Sequence, residues 1–537
     1  MSLENSNATQ QVVTIAEGGN LWTNGAGNHL WTTAGNWTDG VPSAAGVAVS
    51  FAQAFRSATP NSVQLNGTKT VGQLLLNTNT GTGYSIGAVG NADILRLDNG
   101  ANTPRVSVAS GTHIINSPVE MNNNTTVTLT SSASVLTMVG NITQVGTRSL
   151  TKAGAGTLTL SGTNSYTGGT NIDSGTLALS GAGTPLATAG AVNMGGGTLD
   201  LGTQTRTVGA VTITAAAGSG DTIKNGNLTG TSYAASNTAG NAIVSASFNG
   251  TSIPLTKSGA GTLTLTGTNG YTGATNVNGG TLAISGPTLG AGPALANTVI
   301  TVASGATFAA YPGSGSVTVG KTAIPIQGAR LTLNAGAAFT MVDNAIGTFN
   351  LRQGGAFTPG LTASVASGTA PTLALEIGGS LGAIDLLNVT QQVITSNAIQ
   401  GQILIQPLTG LTSLVPGNYT FMTAGGTTPG LGPTAFTLGT ITLNVNGNNY
   451  NLSLANSTTT QQILTITNAF ADEPGKLEMG GGENFDPFFS TGGTVNGNGI
   501  FGGESGSAVV PEPGTLGLLL AGSLGLLASR RRRGAVA

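Results

Sequence analysis

The chain has 537 residues, enough for several ordinary domains or one long repetitive one. Charged residues make up only 7%, against about 25% in a typical globular protein. The net charge of −2 leaves no basic field for nucleic acid, and the lack of cysteine excludes disulfides and thiolate metal sites. With 86 glycines and 4% aromatics, the expected structure is many short strands joined by tight turns.

Residues 1–20 read as a flexible N-terminal segment. The opening MSLENSNATQQVVTIAEGG holds no lysine, arginine or long apolar run. An exported protein is expected to start with both, so the natural start is expected upstream.

Residues 21–343 read as a β-solenoid. Leu150 to Gly181 and Leu255 to Gly286 are two copies of one 32-residue unit, differing at 8 positions and starting 105 residues apart. Within each copy leucine alternates with threonine, as in Thr157-Leu158-Thr159-Leu160, which is the period of a strand with one face buried. The triplet Gly-Thr-Leu recurs at Gly156, Gly175 and Gly197, at spacings of 19 and 22 residues, and at Gly261 and Gly280 in the second copy. Hairpin strands would recur every 8 to 12 residues or so. A return near twenty places each coil on the last, as in a solenoid. Leu158, Leu160, Leu177 and Leu179 are predicted inward, with Leu263, Leu265, Leu282 and Ile284.

These two copies resemble the autotransporter-associated β-strand repeat, whose pattern they carry as GAGTLTLSGTNSYTGGT and GAGTLTLTGTNGYTGAT. The stretches Lys69 to Thr80 and Gly195 to Thr214 resemble the strands between such repeats, and Trp31 to Phe51 their opening segment. The resemblance implies a right-handed parallel β-helix from an exported passenger region. The amphipathic strands of a closing transmembrane barrel do not end the chain.

Residues 344–468 stay strand-rich, as in Leu373-Ala374-Leu375-Glu376-Ile377, and read as continued solenoid or a β-rich cap, since a last coil exposes an edge. Residues 469–510 form a Gly-rich linker containing Phe485, Phe488 and Phe489, read as a strand or cap contact.

Residues 511–533 differ in kind. Pro511-Glu512-Pro513 precedes an apolar run, and Arg530, Arg531, Arg532 and Arg533 close it. The segment 514–529 is predicted to be one short transmembrane helix. From Thr515 to Ser529 it has 15 residues, roughly 22 Å of helix against about 30 Å of hydrocarbon. The arginines resist transfer and set the orientation, staying cytoplasmic. This tail resembles the PEP-CTERM sorting signal of Gram-negative bacteria. The resemblance implies recognition at Pro511, Glu512 and Pro513 by an exosortase-type membrane protease. It also implies retention at the inner membrane during sorting, then transfer to the envelope surface or extracellular matrix, with exopolysaccharide or a biofilm as the setting.

Little chemistry is legible. His29 and His113 stand in no metal-ligand spacing, and His113 reads as an outward strand residue. Asp93, Arg96 and Asp98 evoke a polysaccharide lyase groove, but Asp93 and Asp98 fall on opposite faces of a strand. A salt-bridged strand end is the simpler reading. Asp343, Glu376 and Asp385 have no spacing signal. No catalytic residue, metal or cofactor is assigned. The sequence reads as a non-enzymatic exported solenoid, with a polysaccharide-modifying enzyme or an adhesin as alternatives.

Overall fold

The structure is a computed structural model. It describes residues 19–52, 61–78, 83–214, 222–285, 295, 298–320, 330–352, 360–391, 393–394, 398–425, 431 and 435–468. The linker with its phenylalanines, the apolar run and the sorting residues Pro511 to Pro513 and Arg530 to Arg533 lie outside them, as do residues 1–18.

The described chain is a parallel β-solenoid. One face is a 16-stranded sheet from Asn20–Leu21 to Val393–Ile394. Its middle coils pair in parallel, as in Leu150↔Thr170↔Val192↔Val211. A second face runs from Asn61–Val63 to Thr437–Leu438, again through parallel pairings. Strand Thr222–Thr229 there pairs with both Asn241–Val244 and Ser247–Asn249, so the ladder bends locally. The third face has strands at its two ends. Four parallel strands come first, Lys69–Val71, Leu95–Leu97, Val119–Met121 and Ile142–Gln144. A seven-stranded sheet begins at Ser316–Val319. Among the described residues the only helical element is a single turn, Ala34–Asn36, and no helix is long and apolar enough to cross a membrane.

Register follows from alternation. Leu136, Leu158, Leu177 and Leu199 stack in line, as do Met138, Leu160 and Leu179. All of them are buried, at about 1.5–3 kcal/mol for each such side chain removed from water. The eight aliphatic positions predicted inward are all buried. The threonines between them, such as Thr157 and Thr159, are half-buried on the outer surface.

The glycine of Gly-Thr-Leu is required by backbone crowding at a corner. Gly175 has φ +68°, and a Cβ there would lie 2.3 Å from the Gly154 carbonyl oxygen. Gly197 repeats this one coil on, with φ +79° and 2.4 Å to the Gly175 oxygen. No L side chain fits either the conformation or the space.

The ends are built differently from the coils. At the N-terminal end Trp22, Trp31, Trp37, Phe51 and Tyr84 form one buried aromatic cluster. Both Trp31 and Trp37 donate their indole N–H to backbone carbonyls, of Pro42 and Trp31. A chain with few aromatics thus gathers many of them where the first coil would otherwise be open. At the C-terminal end the third face turns antiparallel. Gly417–Ala424 pairs with Gln461–Asn468, which pairs with Asn448–Ser453. The hairpin of Thr442–Val445 with Asn448–Ser453 closes that sheet.

Candidate functional site

Several polar residues of the repeat point inward. Lys152 and Lys257 occupy equivalent positions in the two copies and are fully buried. Each continues a column of inward aliphatic side chains, Lys152 between Val127 and Ile172, Lys257 between Ala235 and Val277. The Lys152 ammonium donates to the carbonyls of Ala153 (3.0 Å), Gly154 (2.7 Å) and Ser174 (2.9 Å). Lys257 donates to Gly259 and Gly279. Burial pushes both amines down to about 8, opposed at Lys152 by Asp173. Arg206 does the same at another corner, with Gly183 and Gly181 as acceptors.

The Asn-x-Tyr segment fills the third side of the repeat coils. Asn164 accepts from the Ile142 N–H and donates to the Pro185 carbonyl, both at 2.7 Å. Asn269 stands equivalently between the Phe248 N–H and the Gly267 carbonyl. The Tyr166 hydroxyl meets Thr170 at 2.7 Å, and Tyr271 meets Thr275 at 2.8 Å. Thr170 and Thr275 sit at inward positions of their strands and are buried, so these pairs satisfy one another's hydroxyls. The signature residues are therefore internal struts. They satisfy backbone and hydroxyl groups at corners.

The residues singled out by sequence stand apart. His29 lies in an N-terminal turn with φ +58°. His113 is buried, not outward. It follows Thr112 and precedes Ile114-Ile115, and its register partner is the inward Leu136, which fixes the phase. Its Nδ1 accepts from the Tyr84 N–H at 3.1 Å, so Nε2 carries the proton toward the Ser110 carbonyl at 2.9 Å. The Asp93–Arg96–Asp98 strand end is also corrected. Arg96 pairs with Glu120 on the next coil at 2.5 Å. Asp93 instead accepts from Gly67 and Asn91, and Asp98 from Gly100 and Asn122. Stacking put a cross-coil partner closer than any neighbour in sequence.

Asp343, Glu376 and Asp385, unmarked by any spacing, are brought together. Asp385 is fully buried and accepts from the N–H of Glu376 (2.8 Å) and Gly347 (2.9 Å). Glu376 accepts from the N–H groups of Asp343, Asn344 and Ala345. Asp343 accepts from those of Gly313 and Ala345. Burial pushes the Asp385 carboxyl up to about 7, against its two N–H bonds and with help from the Glu376 and Asp343 charges. Among the described residues no group of three or more His, Cys, Asp or Glu could hold a metal ion.

The buried polar groups of this long parallel β-solenoid serve its own corners. Residues 150–179 and 255–284 match the passenger-associated-transport-repeat, and residues 509–533 match the PEP-CTERM protein-sorting motif. The chain is 33% identical over 213 residues to the adhesin BmaC autotransporter of Brucella suis biovar 1, a match covering 37% of this chain and 6% of that protein. The chain thus spans a small fraction of that relative's length. Sorting motif and transport repeats together support an exported, cell-surface protein.

Proposed function

We propose that this chain is a non-enzymatic scaffold of the envelope surface or extracellular matrix in a Gram-negative bacterium, delivered there by an exosortase-type system. The observation that carries this reading is the pairing of passenger repeats with a terminal sorting motif in one chain. The segment 514–529 enters the inner membrane with Arg530, Arg531, Arg532 and Arg533 on the cytoplasmic side. Pro511, Glu512 and Pro513 then lie just outside. Proline removes backbone donors and disfavours helix in the residue before it, so this segment is presented as an extended substrate. The solenoid's outer columns, such as Thr126, Thr151, Asn171, Asn193 and Thr212, offer neutral hydrogen-bonding groups in register. Hydrated exopolysaccharide is the partner chemistry that suits them. The likeness to an adhesin favours one second reading, adhesion to another cell.

Changing Pro511, Glu512 and Pro513 to alanine should leave membrane insertion intact and block release. Changing the four arginines to glutamine should weaken retention and orientation instead. Equal release from the alanine variant would overturn the sorting assignment. Turnover of a polysaccharide that is lost on mutating Asp93, Arg96 or Asp98 would replace the scaffold by an enzyme.

A further inference from the structure

The carboxylates Asp343, Glu376 and Asp385 do work in the fold that neither repeat nor sorting tail explains. Each holds backbone N–H groups at the corner between the second and third faces, Asp343 on one coil and Glu376 with Asp385 on the next. Asp343 reaches back to Gly313, Glu376 to residues 343–345, and Asp385 to Gly347. Asp385 also closes a hairpin. Its N–H donates to the Glu376 carbonyl while the Glu376 N–H donates to its carboxylate, and Ile377 bridges Ile384 between them. The strand after Asp385, Leu386–Val389, is the one on which Gly417–Ala424 of the antiparallel cap is laid. The Asn344 side chain accepts from the Thr409 N–H two coils on. The corner therefore ties three coils to the base of the cap.

We propose that this carboxylate corner is a pH-responsive latch, closed while Asp385 keeps its proton and loosened when Asp385 ionises beside the other two carboxylates. The groups facing Asp385 are the like-charged Glu376 and Asp343. Tyr311, on the preceding coil, faces Asp343 and is itself held protonated by burial and by that charge. Neither of the two ion pairs among the described residues, Arg96–Glu120 and Lys224–Asp200, involves this corner. Ionising the buried Asp385 beside the like charges of Glu376 and Asp343 carries a cost. The direction follows from linkage. The folded carboxyl of Asp385 titrates near 7 and an exposed one at 3.8. Its contribution is complete below 3.8 and is lost as pH rises through about 7. An exported protein would meet this range outside the cell, so the latch would tighten in acid surroundings and slacken in neutral ones.

Amide hydrogen exchange on the full chain tests this. Protection of the Gly347 and Glu376 amides should fall by up to about tenfold per pH unit between about pH 4 and 7, then level off. Ladder amides of the repeats, such as Thr176, should show no such fall. Asp385→Asn keeps the side-chain shape without a titrating group and should flatten the profile. If that variant does not fold, Glu376→Gln removes one like charge and should move the fall to lower pH. A flat wild-type profile would overturn the latch, as would an unchanged slope in Asp385→Asn or an unmoved profile in Glu376→Gln.

Discussion

In the repeat coils the buried charges are cations that face carbonyl oxygens: Lys152, Lys257 and Arg206. In the coils under the C-terminal cap they are the carboxylates Glu376 and Asp385, which face N–H groups, with the half-buried Asp343 beside them. Both sets meet backbone groups left unpaired where a coil turns. Every coil must satisfy such groups or lose about 1–3 kcal/mol for each one buried. At the first-to-second corner the Gly-rich turn aims oxygens inward, and an ammonium fits. At the second-to-third corner the turns at 343–347 aim N–H groups inward, and a carboxylate fits. The sign of a buried charge in this solenoid is set by which end of the peptide group the turn exposes.

If so, a buried charge survives only where turn backbone meets it. Leu160 is the last residue of the strand Thr157–Leu160 and is buried in the core, and the backbone around it is already paired: its carbonyl accepts from the Ser180 N–H, and the Ser161 N–H donates to the Met138 carbonyl. Leu160→Asp should cost several kcal/mol, since the new carboxylate has no partner (roughly 2–7 kcal/mol for a polar group alone). Thr159→Asp, one residue away on the outer surface, should cost far less. Denaturant midpoints of the two variants measure the contrast, and similar losses would break the argument.

Lys152→Ala comes next. It removes a buried aliphatic stem and uncaps three carbonyls, for an expected loss of about 2–5 kcal/mol. A near-neutral midpoint would mean that the cation only occupies space.

His113 tests burial of a neutral group. Burial holds its imidazole below the ordinary 6.5, opposed by the Ser110 carbonyl. The folded value is depressed, so its stability contribution is complete above 6.5 and drains as pH falls below it. The ring should titrate below 6.5 by NMR, with the proton on Nε2. A midpoint at or above 6.5 would put the ring in contact with water.

The smallest effect is at Thr203, a β-branched residue with φ +63° in the bulge between Asp200 and Gln204. Thr203→Gly should stabilise by about 1 kcal/mol, since left-handed strain outweighs the added freedom of the unfolded chain.

The strand alternation of the repeats was readable in sequence because leucine and threonine differ strongly in polarity, and the 19 to 22 residue return gave the stacking. The corner chemistry was less so. Lys152 and Lys257 recur at equivalent places, and a signal existed there: a lone cation between an alternating strand and a Gly-rich turn. The carboxylate corner left none, because Asp343 and Glu376 meet across a whole coil. The phase at His113 was misread because Ile114 and Ile115 make both faces of that strand apolar, so only the pairing with Leu136 decides it. Arg96 found Glu120 rather than either aspartate for the same reason. Cross-coil register is a long-range property, and a single sequence shows it only where the period is strict.

The account of function rests on the tail being removed after the solenoid has left the cytoplasm. The direct measurement is fractionation of the unaltered protein in a host with an exosortase, with one epitope before Pro511 and one after Arg533. The account predicts that the first epitope reaches the cell surface or medium without the second, which stays with the inner membrane. A full-length protein carrying both epitopes, held at the inner membrane, would contradict it and leave a plain tail anchor in its place.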